Sequence, residues 1–487
     1  FKVVAIIWLL IAVGLGFFAP KAEHALSGAG WEATGSESLE TRQLIDQQFG
    51  GMSSSSLMVV VHSNDATFGT PSFDATVDEA ATVLKGSDDV SNVVLPSKKS
   101  WVSRDGHTAV IQAGAASDSN QMVRAADDLK EELAAIGTEG TTVSLTGASG
   151  MWSDFNQANK EAMMKSELIS WPVTLLILVL AFGSLVAAGL PLMLTIIGLM
   201  AAAGSLYLGT QFFDISIWAM NFAMMFALAL GIDYALFIVY RFRGALTSND
   251  TTGDAIAETM DTAGKAVMFS GVTVLISLSA VLLVPSPAFR SMAIGVMLAV
   301  AFVLAASMTL LPAVLGKLGP RVNKLSLPWV HTGEHRSPKF AAWGERIWKR
   351  PVAYGLPALV ILLALCVPVL SLDTGMPSIK VVPEGDGARV GYEQVAEAFG
   401  PGAPGTLQVV SSQADAGATV RELGNDPGIA QVMVVGESRE GNVMIAATPN
   451  VDPSDPALGA TIDRVRDEVP AGVLVGGAAA ENHDLES

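Results

Sequence analysis

Seven blocks of apolar residues dominate the hydrophobic pattern of this chain. About 20 apolar residues cross the ~30 Å hydrocarbon core of a bilayer, so each block predicts one spanning helix. The predicted spans are Val3–Phe18, Leu168–Val186, Pro191–Tyr207, Ile215–Tyr240, Val267–Val284, Met292–Leu315 and Tyr354–Leu370. The first block has the length of a signal peptide, but no convincing small-residue cleavage site follows it, so we expect a retained helix. Because Phe1 is not an initiator, we expect the native start to precede it.

Two long polar segments follow the first and the seventh span, and both alternate strand and helix patterns in the order β-α-β-β-α-β. The first segment predicts the elements Ser56–His62, Asp74–Leu84, Val90–Leu95, Ala109–Gly114, Gln121–Ile136 and Thr141–Thr146. The second segment predicts, in the same order, Leu407–Ser411, Ala416–Leu423, Ile429–Val435, Val443–Thr448, Ala457–Val469 and Val473–Gly476. This is the element order of the split-βαβ, ferredoxin-like motif.

The two polar segments also match one another residue by residue. RQLIDQQFG, ending at Gly50, resembles YEQVAEAFG, ending at Gly400. The matched positions at the end of each segment are Gly147, Ala148 and Asp154 in the first, and Gly477, Ala478 and Asp484 in the second. The repeating unit is therefore a span, a polar domain and several further spans. Parallel repeats are a common transporter plan, so we expect about five C-terminal spans that this sequence lacks.

These patterns predict a polytopic α-helical membrane protein with two extracytoplasmic α+β domains. The predicted domains are a first span in residues 1–20, a first external domain in 21–167, spans two to six in 168–316, a basic linker in 317–353, a seventh span in 354–372 and a second external domain in 373–487.

Charge is distributed unevenly along the chain, whose formal net charge is −18. Residues 21–167 carry 21 acids against 10 bases and residues 373–487 carry 18 against 6, whereas residues 317–350 carry 8 bases against 2 acids. Because Lys and Arg accumulate on cytoplasmic loops, the basic linker is predicted to be cytoplasmic and both acidic domains to be outside. The acidic balance argues against a nucleic-acid partner. The single cysteine, Cys366, excludes intrachain disulfides and a cysteine-rich metal site.

Asp233 is the only Asp, Glu, Lys, Arg or His between Ile215 and Tyr240. It precedes Arg241 by eight positions, about 12 Å along a helix, and is therefore expected well below the membrane surface. An intramembrane carboxylate costs at least ~2.5 kcal/mol on insertion scales and usually marks an ion or proton pathway. The adjacent Tyr234 carries a hydroxyl that both donates and accepts a hydrogen bond, as a proton relay requires. The alternative is a static packing role, or a salt bridge to another helix.

Four further residues are candidates to support this relay. Gly231 lies in a stripe of small residues, with Ala227 and Ala235, that would let membrane helices pack closely. Ser270 and Ser277 in the next span stand at a depth from which they could supply a polar partner. Asn221 lies about 120° around an ideal helix from Asp233, and a plain interhelical hydrogen bond is the favoured reading of it.

Three other features of the sequence do not predict a catalytic or binding site. His331–His335 reads H-x-x-E-H, the order of one class of zinc proteases, but Gly333 interrupts the required helix and a solvated linker is the preferred reading. Thr262–Lys265 resembles part of a phosphate loop without its leading glycine, and Ala266 replaces the required Ser or Thr. Arg290 and Asp214 are expected near the external membrane surface, as a snorkelling and a solvated side chain. We therefore expect no metal, no cofactor and no nucleotide.

Four motifs resemble signatures of the mycobacterial membrane protein large (MMPL) family of the resistance-nodulation-division (RND) superfamily. They are GIDYALFIVYRFR at Gly231–Arg243, FGSLVAAGLPL at Phe182–Leu192, the sixth-span region Phe289–Gly319 and VPEGDGARVGYEQVAEAFGPG at Val382–Gly402. The resemblance implies an RND-type fold with twelve spans and two periplasmic porter domains in the bacterial inner (plasma) membrane. It also implies proton-driven export of lipids or other hydrophobic molecules, with Asp233 and Tyr234 as the first of two coupled Asp-Tyr pairs. Accessory envelope proteins are expected partners.

Three other functions compete with lipid export. A drug or hydrophobe efflux pump would work by the same mechanism, and a SecDF-like factor would pull polypeptide but would not be expected to carry two matched domains. A scaffold would bind lipid or proteins without moving protons. A hydrolase is not expected, because the sequence shows no pairing of a nucleophile with a base. For a transporter, the cleft between the external domains is predicted to be lined by Phe49, Met52, Trp101 and Phe399.

Overall fold

The computed structural model describes residues 1–26, 31–98, 100–213, 215–284, 286–326, 338–371 and 378–486. Within these ranges, seven helices are long and apolar enough to cross a membrane, which is the predicted number. Two four-stranded antiparallel sheets also form, one after the first candidate span and one after the seventh. The protein is therefore a helical membrane protein with two small α/β units.

The N-terminal part of the chain contains three helices and then the first sheet with its two helices. Their bounds are α1 Lys2–Gly16, α2 Ala19–Ala25, α3 Glu37–Gln48, β1 Leu57–Ser63, α4 Pro71–Lys85, β2 Val90–Val94, β3 Thr108–Ala115, α5 Ser119–Ala135 and β4 Thr141–Thr146. We call β1–β4 with α4 and α5 the first unit. Its strand order is β2-β3-β1-β4.

The middle of the chain is helical and contains the remaining candidate spans. The helices are α6 Gly147–Phe182, α7 Leu185–Gly209, α8 Trp218–Ser248, α9 Thr252–Thr259, α10 Lys265–Ser279, α11 Pro287–Leu318, α12 Pro338–Lys349 and α13 Pro351–Cys366. A π-helical turn, Met260–Gly264, joins α9 to α10 in one continuous span. Every residue of α13 is exposed.

The C-terminal part repeats the architecture of the first unit. Its elements are α14 Gly387–Phe399, β5 Leu407–Ser412, α15 Ala416–Asn425, β6 Ile429–Glu437, β7 Asn442–Pro449, α16 Ala457–Glu468, β8 Leu474–Gly476 and α17 Ala478–Glu486. We call β5–β8 with α15 and α16 the second unit. Its strand order, β6-β7-β5-β8, is the order of the first sheet, as the predicted repeat requires. The predicted strands and the predicted helices of both units agree with the structure to within three residues.

The predicted bounds of the second and third spans were wrong. Val186 was placed inside the second span, but that helix ends at Phe182 because Gly183 adopts a left-handed conformation (φ +65°), which glycine tolerates without strain. Ser184 then caps α7 by accepting a hydrogen bond from the Ala187 N–H. The third span therefore begins at Leu185, six residues before the predicted Pro191, which lies inside the helix.

Three helices, α7, α8 and α11, form the packed centre of the membrane region. Small residues of α8 recur every four positions and are all buried, so neighbouring backbones approach closely. They are Ala219, Ala223, Ala227, Gly231 and Ala235. A Cβ atom at Gly295 of α11 would overlap the Ala219 backbone, which shows how tightly α11 lies on α8. The helix α1 packs on α7 and α11, and the Trp8 Nε1–H donates to Thr309 Oγ1 at 2.9 Å.

Each sheet is covered on one face by helices of its own unit and on the other face by a helix from the other half of the chain. In the first sheet, Val60 and Val110 pack against Val395 of α14. In the second sheet, Val410 and Met444 pack against Ile45 of α3. The helix that precedes each sheet in the sequence therefore covers the second face of the other sheet. We call this arrangement the helix exchange.

Candidate functional site

The helix α8 has one face inside the bundle and one face outside it. Tyr234 and Gly231 lie on the buried face, and Asp233 lies on the exposed face. The neighbours of Asp233 along that exposed face, one turn before and one turn after, are Ala229 and Phe237. The carboxylate is thus the one charged group in an apolar stripe of α8.

Tyr234 directs its hydroxyl into the bundle. The hydroxyl oxygen is buried and makes no hydrogen bond of good geometry with any residue that the structure describes. Ser270 of α10 lies near this hydroxyl, and Asp233 is the preceding residue of α8. Ser277 lies two turns further along α10, and both serines are exposed. Asn221 is half-buried near the start of α8, three turns from Asp233.

Gly231 allows α7 to approach α8 next to the Asp-Tyr pair. A Cβ atom added at Gly231 would overlap Thr195 Oγ1 and would lie 3.3 Å from Thr195 Cβ. Thr195 itself donates its hydroxyl hydrogen bond to the Pro191 carbonyl of its own helix at 3.1 Å. The sequence showed the small-residue stripe but not Thr195, because the facing helix can be identified only in three dimensions.

Charged residues at the C-terminal end of α8 hold it to its neighbours. Arg241 forms an ion pair with Glu258 at 2.9 Å, and Arg243 Nε donates to Asn323 Oδ1 at 2.7 Å. Arg243 also donates to the Phe182 carbonyl at the end of α6. Asp233 therefore sits about two turns inside an anchored helix end, beside a phenol. A carboxylate and a phenol are both groups that can exchange a proton.

The motif His331–His335 and Asp214 lie outside the described residues. The described residues contain no group of three or more His, Cys, Asp or Glu side chains placed to hold a metal ion. Arg290, predicted near the external surface, is exposed and donates through Nε to the Val284 carbonyl at 3.0 Å.

Two matched aspartates hold the exchanged helices. Asp154 Oδ2 accepts the Ala388 N–H at the start of α14 (2.8 Å), and Asp484 Oδ2 accepts the Ser38 N–H at the start of α3 (3.2 Å). Each aspartate also pairs with a base of its own half: Asp154 with Lys130 at 3.2 Å, and Asp484 with Arg466. Burial alone would raise the pKa of Asp484, but the Arg466 and Ser38 hydrogen bonds outweigh it and the pKa is lowered. The sequence repeat matched these two residues without revealing their role.

The two equivalent contacts between the halves differ in chemistry. On one side, Arg42 bridges Glu32 at 2.6 Å and Glu481 at 2.9 Å, and Ser54 also donates to Glu481. Burial raises the pKa of Glu481, and Arg42 offsets this only in part because it is shared with Glu32. Burial alone would lower the pKa of Arg42, but the negative charges of Glu481 and Glu32 outweigh that effect and the pKa is raised.

On the other side, the positions that match Arg42 and Glu481 in the repeat are Tyr392 and Met151. They belong to an apolar cluster with Ile379 and Phe155. Tyr392 donates its hydroxyl hydrogen bond to Asp452 at 2.9 Å. One contact is therefore a buried ion-pair network, and its counterpart is apolar.

A cavity of about 580 Å³ opens beside the apolar contact, between the two units. Its apolar lining includes Met58, Met151, Trp152, Ile379, Leu458 and Ile462. This volume is in the range of small-molecule sites, which are concave and mostly apolar. Trp152 and Met151 belong to α6, the same helix that continues into the membrane as the second candidate span.

The residues predicted to line the cleft between the external domains do not line this cavity. Phe49, Met52, Trp101 and Phe399 are not among the residues that line the cavity. Trp101 and Phe399 contact each other edge to face, with ring centroids 5.6 Å apart, and cover the first sheet. Phe49 packs beside Ile45 on the second sheet. Aromatic side chains at these positions serve the helix exchange.

The fold defines a polytopic helical membrane protein, with seven candidate spans and a duplicated α/β unit. A sequence model of the MMPL family matches residues 30–354, and the chain belongs to this family. It is 30% identical over 515 residues to the mycolic acid-containing lipids exporter MmpL11 of Mycolicibacterium smegmatis, an alignment that covers 98% of this chain and 53% of that protein.

Two further relatives are named for different activities. The heme uptake protein MmpL11 of Mycobacterium tuberculosis is 28% identical, with 98% of this chain and 52% of that protein covered. The trehalose monomycolate exporter MmpL3 of Mycolicibacterium smegmatis is 24% identical, with 81% and 42% covered. The chain spans about half the length of the curated relatives it matches.

Proposed function

We propose that this chain forms part of a proton-driven exporter of lipids or other hydrophobic molecules. The observation that carries the proposal is the Asp233–Tyr234 pair within an apolar candidate span, with the carboxylate on the exposed face of α8 and the phenol buried. A charged carboxylate facing hydrocarbon is costly, so a residue of this kind is retained for a function. Two relatives are named as lipid exporters, which supports the choice of cargo.

In this proposal, the exposed face of α8 around Asp233 packs against further membrane helices, which relatives of about twice this length have room to contain. Protonation of Asp233 removes a charge from that contact and changes its packing. Tyr234 and Ser270 pass the proton, Gly231 keeps α7 close, and Ser277 and Asn221 provide further polar groups along the path. No cofactor is needed, since the proton gradient supplies the energy.

The two units are proposed to be ferredoxin-like porter domains on the outer side of a bacterial plasma membrane, and the cavity between them is proposed to hold the cargo. The helix α6 joins the two sites, because it carries Trp152 at the cavity and Phe182 beside the end of α8. A change of packing around α8 would thus reach the cavity wall through one continuous helix. Accessory envelope proteins would receive the cargo.

The test compares envelope lipids in a strain that lacks the native full-length protein and is complemented with variants. Wild type and the control Asp250→Asn, an exposed residue beyond the end of α8, should restore export. Asp233→Asn should not restore it, because the amide cannot titrate. Asp233→Glu, which keeps a carboxyl group, should restore it in part. Lipids are quantified by mass spectrometry inside and outside the plasma membrane, at matched protein levels.

Equal restoration by Asp233→Asn and wild type would refute proton coupling through this residue and would favour a membrane scaffold. An unchanged lipid profile, with raised intracellular levels of a toxic hydrophobic compound in the deletion strain, would instead favour efflux of drugs by the same mechanism.

A further inference from the structure

The cavity between the two units has an acidic rim. Three carboxylates line it, those of Asp455, Asp463 and Glu486. Asp455 and Asp463 are exposed, so they stand where the cavity meets solvent. No lysine or arginine is among the residues, within the described part of the chain, that line the cavity.

Asp455 and Asp463 each make one side-chain contact and stay open to solvent. Asp455 Oδ1 accepts the Ala457 N–H at the start of α16 at 2.9 Å, and Asp463 Oδ1 lies 2.7 Å from His483 Nε2. Both are single contacts to one oxygen of a carboxylate that remains open to solvent. The histidine adds positive charge only when it is protonated.

The interior of the cavity is apolar and includes two aromatic side chains. Trp152 and Tyr392 line it together with the aliphatic and methionine side chains described above. Aromatic faces attract ammonium groups, and carboxylates nearby add to that attraction. An anionic head group would meet the Asp455 and Asp463 carboxylates, with His483 as the one base among the described residues that line the cavity. A chain of methylene groups would gain the same burial energy whichever head group it carried.

We propose that the cavity takes a cationic amphiphile, with its apolar chain on the Met, Ile and Leu lining and its ammonium group at the Asp455–Asp463 rim. The proposal rests on the proposed function in one respect, because it takes this cavity to be the cargo site. It adds the charge of the cargo, which the membrane helices do not specify.

The test measures binding of three probes that share one chain: octyltrimethylammonium, octyl glucoside and octyl sulfate. The native full-length protein is held in nanodiscs of zwitterionic lipid, and titration calorimetry is corrected with empty nanodiscs. At low salt we expect the ammonium probe to bind about tenfold more tightly than the sulfate, with the glucoside between them. At 0.5 M salt the difference should shrink to about threefold or less, because exposed charges are screened.

Two sets of variants locate the effect. The pair Asp455→Asn and Asp463→Asn keeps the acceptor atoms of both local contacts and should abolish the preference for the ammonium probe, with glucoside binding unchanged. The matched control, Asp467→Asn with Glu468→Gln, removes two charges from the end of the same helix α16 outside the cavity lining and should preserve it. Ala460→Trp, at an exposed lining position, should weaken all three probes.

Equal or tighter binding of the sulfate would overturn the proposal, as would tightest binding of the glucoside or a preference that survives the rim variants. Asp233→Asn should bind the ammonium probe as wild type does. If Asp233→Asn restores export as well as wild type does while selective binding persists, the proton mechanism is wrong and the cationic site stands. If lipid export holds while the cavity shows no charge preference, the cationic site is wrong and the exporter stands.

Discussion

The substitution Ile45→Ala tests the helix exchange directly. Ile45 belongs to α3, which precedes the first sheet, but its fully buried side chain packs on Val410 and Met444 of the second sheet. The exchange therefore predicts that this substitution loosens strands β5 and β7, more than 350 residues further along the chain. If the first domain folded independently, the substitution would loosen the first sheet instead.

The size of the effect follows from the burial of Ile45. Replacing isoleucine by alanine removes three carbon atoms, worth roughly 2.4 kcal/mol at ~0.8 kcal/mol per buried methylene. The cavity left behind brings such substitutions to about 2–5 kcal/mol. At ~1.4 kcal/mol per factor of ten, amide exchange through opening of that sheet should accelerate at least about 25-fold.

Hydrogen–deuterium exchange of the native full-length protein in nanodiscs measures this strand by strand. Ile45→Ala should accelerate exchange in β5 and β7 and leave β1 and β3 near wild type. The matched control Val395→Ala lies at the equivalent position of α14, so it should accelerate β1 and β3 instead. If Ile45→Ala loosened only the first sheet, or both variants loosened the same sheet, the exchange would be refuted.

Two further predictions concern the ion-pair network and the membrane helices. Because burial raises the pKa of Glu481, the folded state binds this proton more tightly, so wild-type stability falls as pH rises above the ordinary value of 4.5. Glu481→Gln should therefore gain thermal stability relative to wild type as pH rises, and a constant difference would contradict this. Gly231→Leu should cost about 1–3 kcal/mol by separating α7 from α8. An unchanged melting temperature for Gly231→Leu would contradict the packing argument.

The element order of both units could be predicted from the sequence because it depends on the local periodicity of apolar residues. Strand patterns and helix patterns are short-range signals, and the repeat supplied a second copy of each. The errors at the second and third spans have a local cause as well. Hydropathy does not report the turn made by Gly183 and Ser184, so an uninterrupted apolar run was carried past the end of a helix.

The helix exchange could not be predicted, because it depends on contacts between segments far apart in sequence. Asp154 and Asp484 were matched as repeat positions, yet only the structure places each at the start of a helix from the other half. The position of Asp233 within a candidate span could be predicted from the sequence. Its place on the exposed face of α8 could not, since a helix that is apolar on all sides carries no signal of which face is buried.

The helix exchange also determines when the protein can finish folding during synthesis. The helix α14, which covers Val60 and Val110, begins about 240 residues after β4 ends. At about 5–20 residues per second, a ribosome needs roughly 12–50 s to reach it. Throughout that interval the first sheet has an apolar face with no cover, while six spans are inserted in the membrane. The nascent chain is therefore most exposed to proteases and to misassembly before its second half arrives, and the two halves must be made together to be stable.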